Sequence, residues 1–164
     1  MPELPEVETV KKSLENLITG LIVTEVDLFM PKIIKLPSPQ SFIGTLADKT
    51  IKRLGRRGKY LLIYLDDNQT MVIHLRMTGR LVYSEPLTPP AKYTHAIFRL
   101  SNGFSLFFAD MRQFGRLALV DTDQLDEWPG LRILGAEPLS DSFTREYLKK
   151  ELKRRTMQKL FRLS

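Results

Sequence analysis

The sequence predicts a mainly β protein with some α structure: a two-sheet β-sandwich preceded by one helix and followed by the start of a helical segment. About eight short apolar segments follow one another between residues 21 and 120, each bounded by turn residues. A helical pattern precedes them, but strands and helices do not alternate and no internal repeat occurs. The 164 residues are 43% hydrophobic, which is enough apolar side chain for the core of one ordinary domain.

The leading helix is predicted from Pro5 to about Thr19, and Gly20 follows it as a stop signal. Lysines occupy one face, so we expect the helix to pack through the other face and to anchor the residues before it. The apolar residues that recur at helical spacing on that packing face are Val7, Val10, Leu14, Leu17 and Ile18.

Strands are predicted wherever short apolar segments lie between turn residues. The first is Leu21–Phe29; prolines then break the chain, and Ser41–Ala47 is predicted as a short helix. Asn102-Gly103 between two apolar segments is typical of a β-hairpin turn. The remaining strands are Ile51–Leu54, Tyr60–Leu65, Thr70–Leu75, Arg80–Tyr83, His95–Leu100, Phe104–Ala109 and Arg116–Val120.

The character of the chain changes after Gly130, which places a domain boundary near residue 135. Residues 134–140 are typical of a linker, and Ser142 can cap a following helix whose later half is basic and includes Arg154. Cations suit the C-terminal end of a helix, and they equally suit a phosphate contact. We therefore expect one domain at 1–135, and a linker with a first basic helix at 136–164.

Composition narrows the class of protein. The net charge of +6 indicates either a polyanionic partner or an ordinary basic surface. The chain has no Cys and only two His, so disulfides, a Cys nucleophile and a Cys-ligated zinc site are excluded. No stretch approaches the roughly 20 apolar residues of a membrane span, and the N-terminus lacks the basic-then-apolar layout of a signal peptide. We expect a soluble, cytoplasmic protein with no membrane contact.

The first residues hold a candidate nucleophile. If the initiator methionine is removed, Pro2 presents a free secondary amine, and an α-amino pKa of about 8 leaves a useful fraction unprotonated near neutral pH. Glu3 stands beside it and can carry a proton. Pro5, Glu6 and Glu8 suit the first turn of a helix and need no further function.

Three polar segments hold further candidates. Arg56–Tyr60 is either an ordinary basic turn or one that projects Lys59 into a site, where it binds phosphate or donates a proton. In His74–Gly79, Met77 is either a core filler or an exposed apolar residue at a polar turn. In Asp110–Gly115, Arg112 and Phe114 are two apart and share one side of any extended segment.

These segments, together with the opening Met1–Thr9, resemble the formamidopyrimidine-DNA glycosylases, bacterial enzymes that remove oxidised purines such as 8-oxoguanine from DNA. The resemblance extends to about Thr156. It implies a two-sheet sandwich with a leading helix as the catalytic domain. It also implies damaged double-stranded DNA as the partner, and we expect a monomer.

The resemblance implies roles for individual residues. Pro2 would attack the sugar to form a Schiff base, Glu3 would move protons, and Lys59 would assist strand cleavage. An enzyme that acts on a base must take it out of the stack. The family uses a matching Met, Arg and Phe to fill the gap and to contact the orphaned base, which assigns DNA contacts to Met77, Arg112 and Phe114.

Further DNA contacts are assigned with more latitude. Tyr93 stands where the family has a histidine, and tyrosine can still donate a hydrogen bond to a phosphate. His74 is left open between a structural role and a phosphate contact, whereas His95 is interpreted as structural. Arg154 is the remaining phosphate contact that we expect.

The sequence departs from the family after Thr156. The family continues with a helix–two-turns–helix module and a zinc finger bearing a further catalytic arginine, whereas this chain has no Cys to form the finger. We therefore expect a truncated chain without metal or cofactor. Three hypotheses follow: a combined glycosylase and AP lyase, a DNA-binding remnant without turnover, and a small-molecule enzyme with an N-terminal proline, as in some tautomerases. The third does not account for the basic turns or for Met77, Arg112 and Phe114, which we call the wedge residues.

Overall fold

The computed structural model describes residues 4–127, which form two β-sheets and two α-helices. The helices are α1 (Leu4–Ile18) and α2 (Pro39–Leu46), and short 3₁₀ helices lie at Pro31–Ile33 and Thr122–Glu127. The strands are β1 (Val23–Leu28), β2 (Ile34–Leu36), β3 (Ile51–Arg57), β4 (Tyr60–Leu65), β5 (Gln69–His74), β6 (Gly79–Ser84), β7 (Thr94–Leu100), β8 (Ser105–Asp110) and β9 (Arg116–Asp121).

The strands are arranged as a four-stranded sheet in the order β1-β7-β8-β6 and a five-stranded sheet in the order β2-β9-β5-β4-β3. Every strand pair is antiparallel except β2 with β9, which is parallel. The predicted fold class, a two-sheet sandwich behind a leading helix, is confirmed. The predicted division at residue 135 lies outside the described residues.

The main core includes buried side chains from both sheets and both helices. Phe98 and Phe108 of the four-stranded sheet are 1% and 0% exposed, and Leu61 and Ile73 of the five-stranded sheet are both fully buried. Phe42 of α2 meets the Phe98 ring edge-to-face, with centroids 6.5 Å apart. Aromatic pairs favour this geometry. The two sheets therefore share one core, which fixes the ends of their strands relative to each other.

Helix α1 packs on β3 through the face that the sequence predicted, with one exception. Val7, Leu14 and Ile18 are buried, whereas Leu17 is 45% exposed. The placement of Leu17 on the packing face was wrong, because a strip at positions 7, 14 and 18 is narrower than the one we counted. Gly20 ends the helix with a φ of +90° and donates its N–H to Ile51 O at 2.7 Å.

All eight predicted strands are present, with ends that differ by up to a few residues. The Asn102-Gly103 hairpin is confirmed: it joins β7 to β8, Gly103 has a φ of +89°, and Asn102 Oδ1 accepts the Phe104 N–H at 3.0 Å. Strand β2 was missed.

Within residues 4–127, neither α1 nor α2 is long and apolar enough to cross a bilayer.

Candidate functional site

Two turns cross between the sheets at the same end of the sandwich. Residues 75–78 lead from β5 to β6, and residues 111–115 lead from β8 back to β9. The strand register pairs Gly79 with Asp110 and His74 with Arg116, so both turns begin and end side by side. We call this end of the molecule the turn edge; the β3–β4 turn and the start of β7 lie there too.

The turn edge presents the three wedge candidates to solvent. Met77 is 49% exposed and Phe114 is 51% exposed, and Arg112 is exposed as well. The Arg112 guanidinium lies 5.4 Å from the Phe114 ring centroid. The segment between them is not extended, because Gln113 has a φ of +62°. We predicted that Arg112 and Phe114 share one side because they are two apart in an extended segment. They are indeed neighbours, but a turn brings them together.

A buried carboxylate, which sequence reasoning missed, organises both turns. Asp110 is 1% exposed, and its Oδ2 accepts the Gly115 N–H at 2.6 Å. Its Oδ1 accepts the Thr78 hydroxyl and the Arg112 N–H, the latter at 3.2 Å. Thr78 Oγ1 also accepts the Arg112 N–H at 3.1 Å. The one available signal was an aspartate that ends an apolar strand and precedes a turn, a position where it binds nearby backbone N–H groups.

Close packing restricts the residue after Phe114. A Cβ on Gly115 would lie 2.7 Å from Phe108 Cζ and 2.9 Å from Asp110 Oδ2, so glycine is required there. The next side chain, Arg116, donates from Nη1 to Gln113 O at 2.8 Å and to Gly115 O at 2.7 Å. The turn that holds Arg112 and Phe114 is thus fixed from both sides.

The β3–β4 turn brings Lys59 to the turn edge. The sequence placed Arg56 and Arg57 in this turn, but both belong to β3, and only Gly58 and Lys59 connect the strands. Arg57 remains in register with Tyr60. Tyr60, the residue after Lys59, pairs with His74 across β4 and β5, so the turn lies beside the end of β5.

His74 is 5% exposed and held by its neighbours. Its Nδ1 accepts the Arg76 N–H at 3.0 Å, and its ring meets Tyr60 edge-to-face with centroids 4.8 Å apart. Burial, followed by the charges of Arg76 and Lys59, lowers the pKa of His74 to about 4, so the ring is neutral at pH 7. The sequence left His74 open between a structural role and a phosphate contact, and this environment favours the structural role. Burial also raises the pKa of Tyr60.

Positive charge is crowded at the turn edge. Burial and then the nearby charge of Arg76 lower the pKa of Arg116. Arg76 Nε is buried and has no hydrogen-bond partner among residues 4–127. A buried N–H group without an acceptor costs free energy, which an incoming anion would recover. The basic residues of this edge are Arg56, Arg57, Lys59, Arg76, Lys92, Arg112 and Arg116.

The start of β7 completes the edge. Tyr93 is 44% exposed, has a φ of +64°, and its carbonyl accepts the Asp110 N–H at 3.0 Å. Lys92 Nζ lies 5.1 Å from the Tyr93 ring centroid. His95 is buried and donates from Nε2 to Asp110 O at 2.7 Å, as expected of a structural histidine. Pro2, Glu3 and Arg154 lie outside the described residues.

Comparison with known proteins agrees with this geometry. Residues 1–117 match the family described as formamidopyrimidine-DNA glycosylase N-terminal domain. Formamidopyrimidine-DNA glycosylases from Pelotomaculum thermopropionicum and Desulforamulus reducens are 58% and 53% identical, each over 94% of this chain and 56% of the relative. The chain thus spans about half the length of these curated relatives.

Solved structures give the same result. The Lactococcus lactis Fpg (MutM) in complex with DNA containing FAPY-dG is 35% identical, with a TM-score of 0.72, over 75% of this chain and 46% of that one. The same enzyme bound to DNA with an abasic site has the same identity and TM-score, over 75% and 45%. With its family match, its sandwich and its leading helix, the chain belongs to the formamidopyrimidine-DNA glycosylase family, whose N-terminal domain it contains.

Proposed function

We propose that this chain acts in DNA base-excision repair as a glycosylase and AP lyase on oxidised purines in double-stranded DNA. The observation that carries the proposal is the convergence at the turn edge. Separate segments of the chain bring two exposed apolar side chains, an exposed arginine and several further cations to one end of the sandwich. The proposed lesion class is supported by the name of the relatives, formamidopyrimidine-DNA glycosylase, and by the FAPY-dG in the DNA of a solved complex.

The exposed apolar residues support base extrusion. Met77 and Phe114 are large apolar side chains, yet each is about half exposed. An apolar wedge in the space left by an extruded base recovers part of the stacking energy that extrusion loses. Arg112, beside Phe114, is placed to hydrogen-bond the base left without a partner.

The cations support binding of the DNA backbone. Burial and then the charge of Arg76 lower the pKa of Arg116, and burial with the charges of Arg76 and Lys59 lowers the pKa of His74 to about 4, so that its ring is neutral. A phosphate placed there would reduce the repulsion between these cations and offer an acceptor to Arg76 Nε, which has none among residues 4–127. Binding that depends on such contacts weakens as salt concentration rises.

The chemistry is assigned to the N-terminal amine. Pro2 N forms a bond to the sugar C1′ while the bond from C1′ to the base breaks, and the base leaves with the electron pair and a proton from an enzyme acid. The amine proton then passes to O4′ as the sugar ring opens, which gives a cationic imine. This imine withdraws electrons, so a proton leaves C2′ and the 3′ phosphate departs; δ-elimination then releases the 5′ phosphate.

Glu3 and Lys59 are the proposed proton carriers. Glu3 would shuttle protons at the sugar, and Lys59 would assist elimination from the β3–β4 turn. Helix α1 begins at Leu4, two residues after Pro2 in the sequence. The hydrogen bond from Arg56 to Glu8 places this end of α1 next to the Lys59 turn.

A second candidate function is DNA binding without turnover. It is favoured by one fact: the chain spans 56% of the length of these two curated relatives. The two candidates share the wedge and the cations and differ only at the Pro2 step.

The experiment for the proposed function is fluorescence-anisotropy binding to a duplex with 8-oxoguanine opposite cytosine and to the same duplex undamaged. We expect tighter binding to the damaged duplex, and we expect Met77→Ala and Phe114→Ala to weaken it about tenfold. Leu87→Ala is the matched control, because Leu87 is fully exposed and follows Pro86, which contacts Gly103 at the opposite end. Equal binding to both duplexes, or equal effects of all three variants, would rule out the wedge.

A further inference from the structure

Side-chain hydrogen bonds join the two turns that hold the wedge residues, 75–78 and 111–115. Thr78 follows Met77 in one turn, and Asp110 precedes Arg112 and Phe114 in the other. We propose that Thr78 and Asp110 form a positioning pair that makes the two turns insert into DNA as one unit. This inference rests on the proposed function, because it concerns how that function is carried out.

The hydrogen bonds of the pair support it directly. The Thr78 hydroxyl donates to Asp110 Oδ1 and at the same time accepts the Arg112 N–H at 3.1 Å. Asp110 Oδ1 accepts the same N–H at 3.2 Å. One hydroxyl therefore links the residue next to Met77 with the backbone of Arg112.

Burial strengthens these contacts. Asp110 is 1% exposed, and a hydrogen bond inside a protein is electrostatically stronger than one in water. Its other oxygen holds the Gly115 N–H at 2.6 Å, on the far side of Phe114. The carboxylate thus fixes the backbone before Arg112 and after Phe114, and Thr78 extends the same arrangement to Met77.

The strand pairing cannot replace this link. The ladder between β6 and β8 ends at Gly79 and Asp110, and the ladder between β5 and β9 ends at His74 and Arg116. Met77, Arg112 and Phe114 all lie beyond both of these ends. Side chains that must enter one gap together gain when their spacing is set before binding, because less freedom is lost at that moment.

The first test uses the free protein and measures hydrogen exchange at the Arg112 amide. Thr78→Val removes the hydroxyl with little change in shape, whereas Thr78→Ser retains it. We expect exchange to rise about fivefold in Thr78→Val, which corresponds to one lost hydrogen bond, and to stay at the wild-type rate in Thr78→Ser. Thr88→Val, at an exposed threonine in the 85–93 loop, controls for the substitution itself.

The second test measures coupling between the turns. Affinity for a duplex with a stable abasic-site analogue is determined for Met77→Ala, Phe114→Ala and the double variant, first with Thr78 and then with Thr78→Val. We expect the two alanine effects to be non-additive in the first set and additive in the second. A merely structural role would lower stability in a urea titration but would leave the coupling unchanged.

Three results would overturn the inference. Unchanged exchange at Arg112 in Thr78→Val would show that the pair does not hold the turn. Coupling that persists in Thr78→Val would show that another contact joins the wedges. A wild-type chain that binds abasic and intact duplexes equally would overturn the proposed function and this inference together. If exchange at Arg112 still rises in Thr78→Val, the pair does hold the turn, and the failure then lies in the proposed function.

Asp110→Asn keeps the shape of the side chain but presents an amide donor to one of the N–H groups. It should therefore reproduce Thr78→Val in both tests.

Discussion

Arg56 Nε donates a 2.9 Å hydrogen bond to Glu8 Oε1, and Arg56 Nη1 donates to Gly58 O at 3.0 Å. One guanidinium therefore connects the first half of helix α1 with the turn that holds Lys59. In the proposed mechanism the helix leads back to the nucleophile and the turn supplies an assisting cation. Arg56 thus relates the positions of the two.

This pair predicts a pH response at Glu8. The hydrogen bond from Arg56, opposed by some burial and aided by Lys11, lowers the pKa of Glu8 below its ordinary value. Because the folded-state pKa is depressed, the stabilisation is present above the ordinary pKa and is lost as pH falls through the folded-state value. In a carboxyl-carbon NMR titration, Arg56→Met should move the Glu8 midpoint upward, whereas Arg80→Met on β6 should not. An unmoved midpoint in Arg56→Met would contradict the contact.

His74 predicts a loss of stability in mild acid. Its folded-state pKa of about 4 lies below the ordinary 6.5, so the unfolded chain binds the proton first and unfolding becomes easier as pH falls from 6.5 towards 4. The full effect is about 3 kcal/mol. Urea titrations across this range should show it in the wild type. His74→Asn, which retains an acceptor for Arg76 N–H but does not titrate, should show a shallower dependence; equal slopes would refute the neutral, buried ring.

Gly79 predicts a sharp difference between two glycine substitutions. A Cβ at Gly79 would lie 2.5 Å from the backbone oxygen of Leu75, which cannot move without disturbing the turn that holds Met77. We expect Gly79→Ala to lower the free energy of unfolding by about 1–3 kcal/mol. Gly44→Ala is the control: nothing lies within 4 Å, and alanine in helix α2 should be neutral or stabilising by up to about 1 kcal/mol. Similar losses in both variants would argue against the tight turn.

The burial of Met71 and the exposure of Met77 predict opposite effects of alanine substitution on stability and on DNA binding. Met71 is 2% exposed in the core, so Met71→Ala should lower the free energy of unfolding by about 2–5 kcal/mol. Met77 is 49% exposed, so Met77→Ala should change it by no more than about 0.5 kcal/mol while it weakens binding to damaged DNA. Thermal unfolding and anisotropy on the same samples measure both. A large stability loss in Met77→Ala would make Met77 a core residue, the alternative that the sequence left open.

Short apolar segments between turn residues predicted most of the fold, because β4, β5, β7, β8 and β9 are buried along nearly their whole length and therefore consist mainly of apolar residues. This pattern missed β2, whose three residues lie between prolines and pair in parallel with β9, a contact that depends on tertiary structure. It also ended β3 too early. Arg56 and Arg57 continue that strand because β3 lies at the edge of its sheet, where charged side chains remain in water.

The candidate site was predicted less completely than the fold. Motifs identified Lys59, Met77, Arg112 and Phe114, and the structure brings all four to one edge. The link between Thr78 and Asp110 could not be predicted, because it joins residues 32 positions apart and depends on strand register. The crowding of Arg76 and Arg116 likewise arises from neighbouring strands rather than from a local motif.

The measurement that tests the central claim most directly is reductive trapping. The chain, with its N-terminus verified by mass spectrometry as Pro2, is incubated with a duplex containing 8-oxoguanine opposite cytosine, and borohydride is added. The proposed mechanism predicts a covalent protein–DNA complex joined through the Pro2 nitrogen, which disappears in Pro2→Gly with the initiator methionine retained. If a chain with a free Pro2 binds the damaged duplex and forms no complex, the imine mechanism is contradicted and DNA binding without turnover is the function that remains.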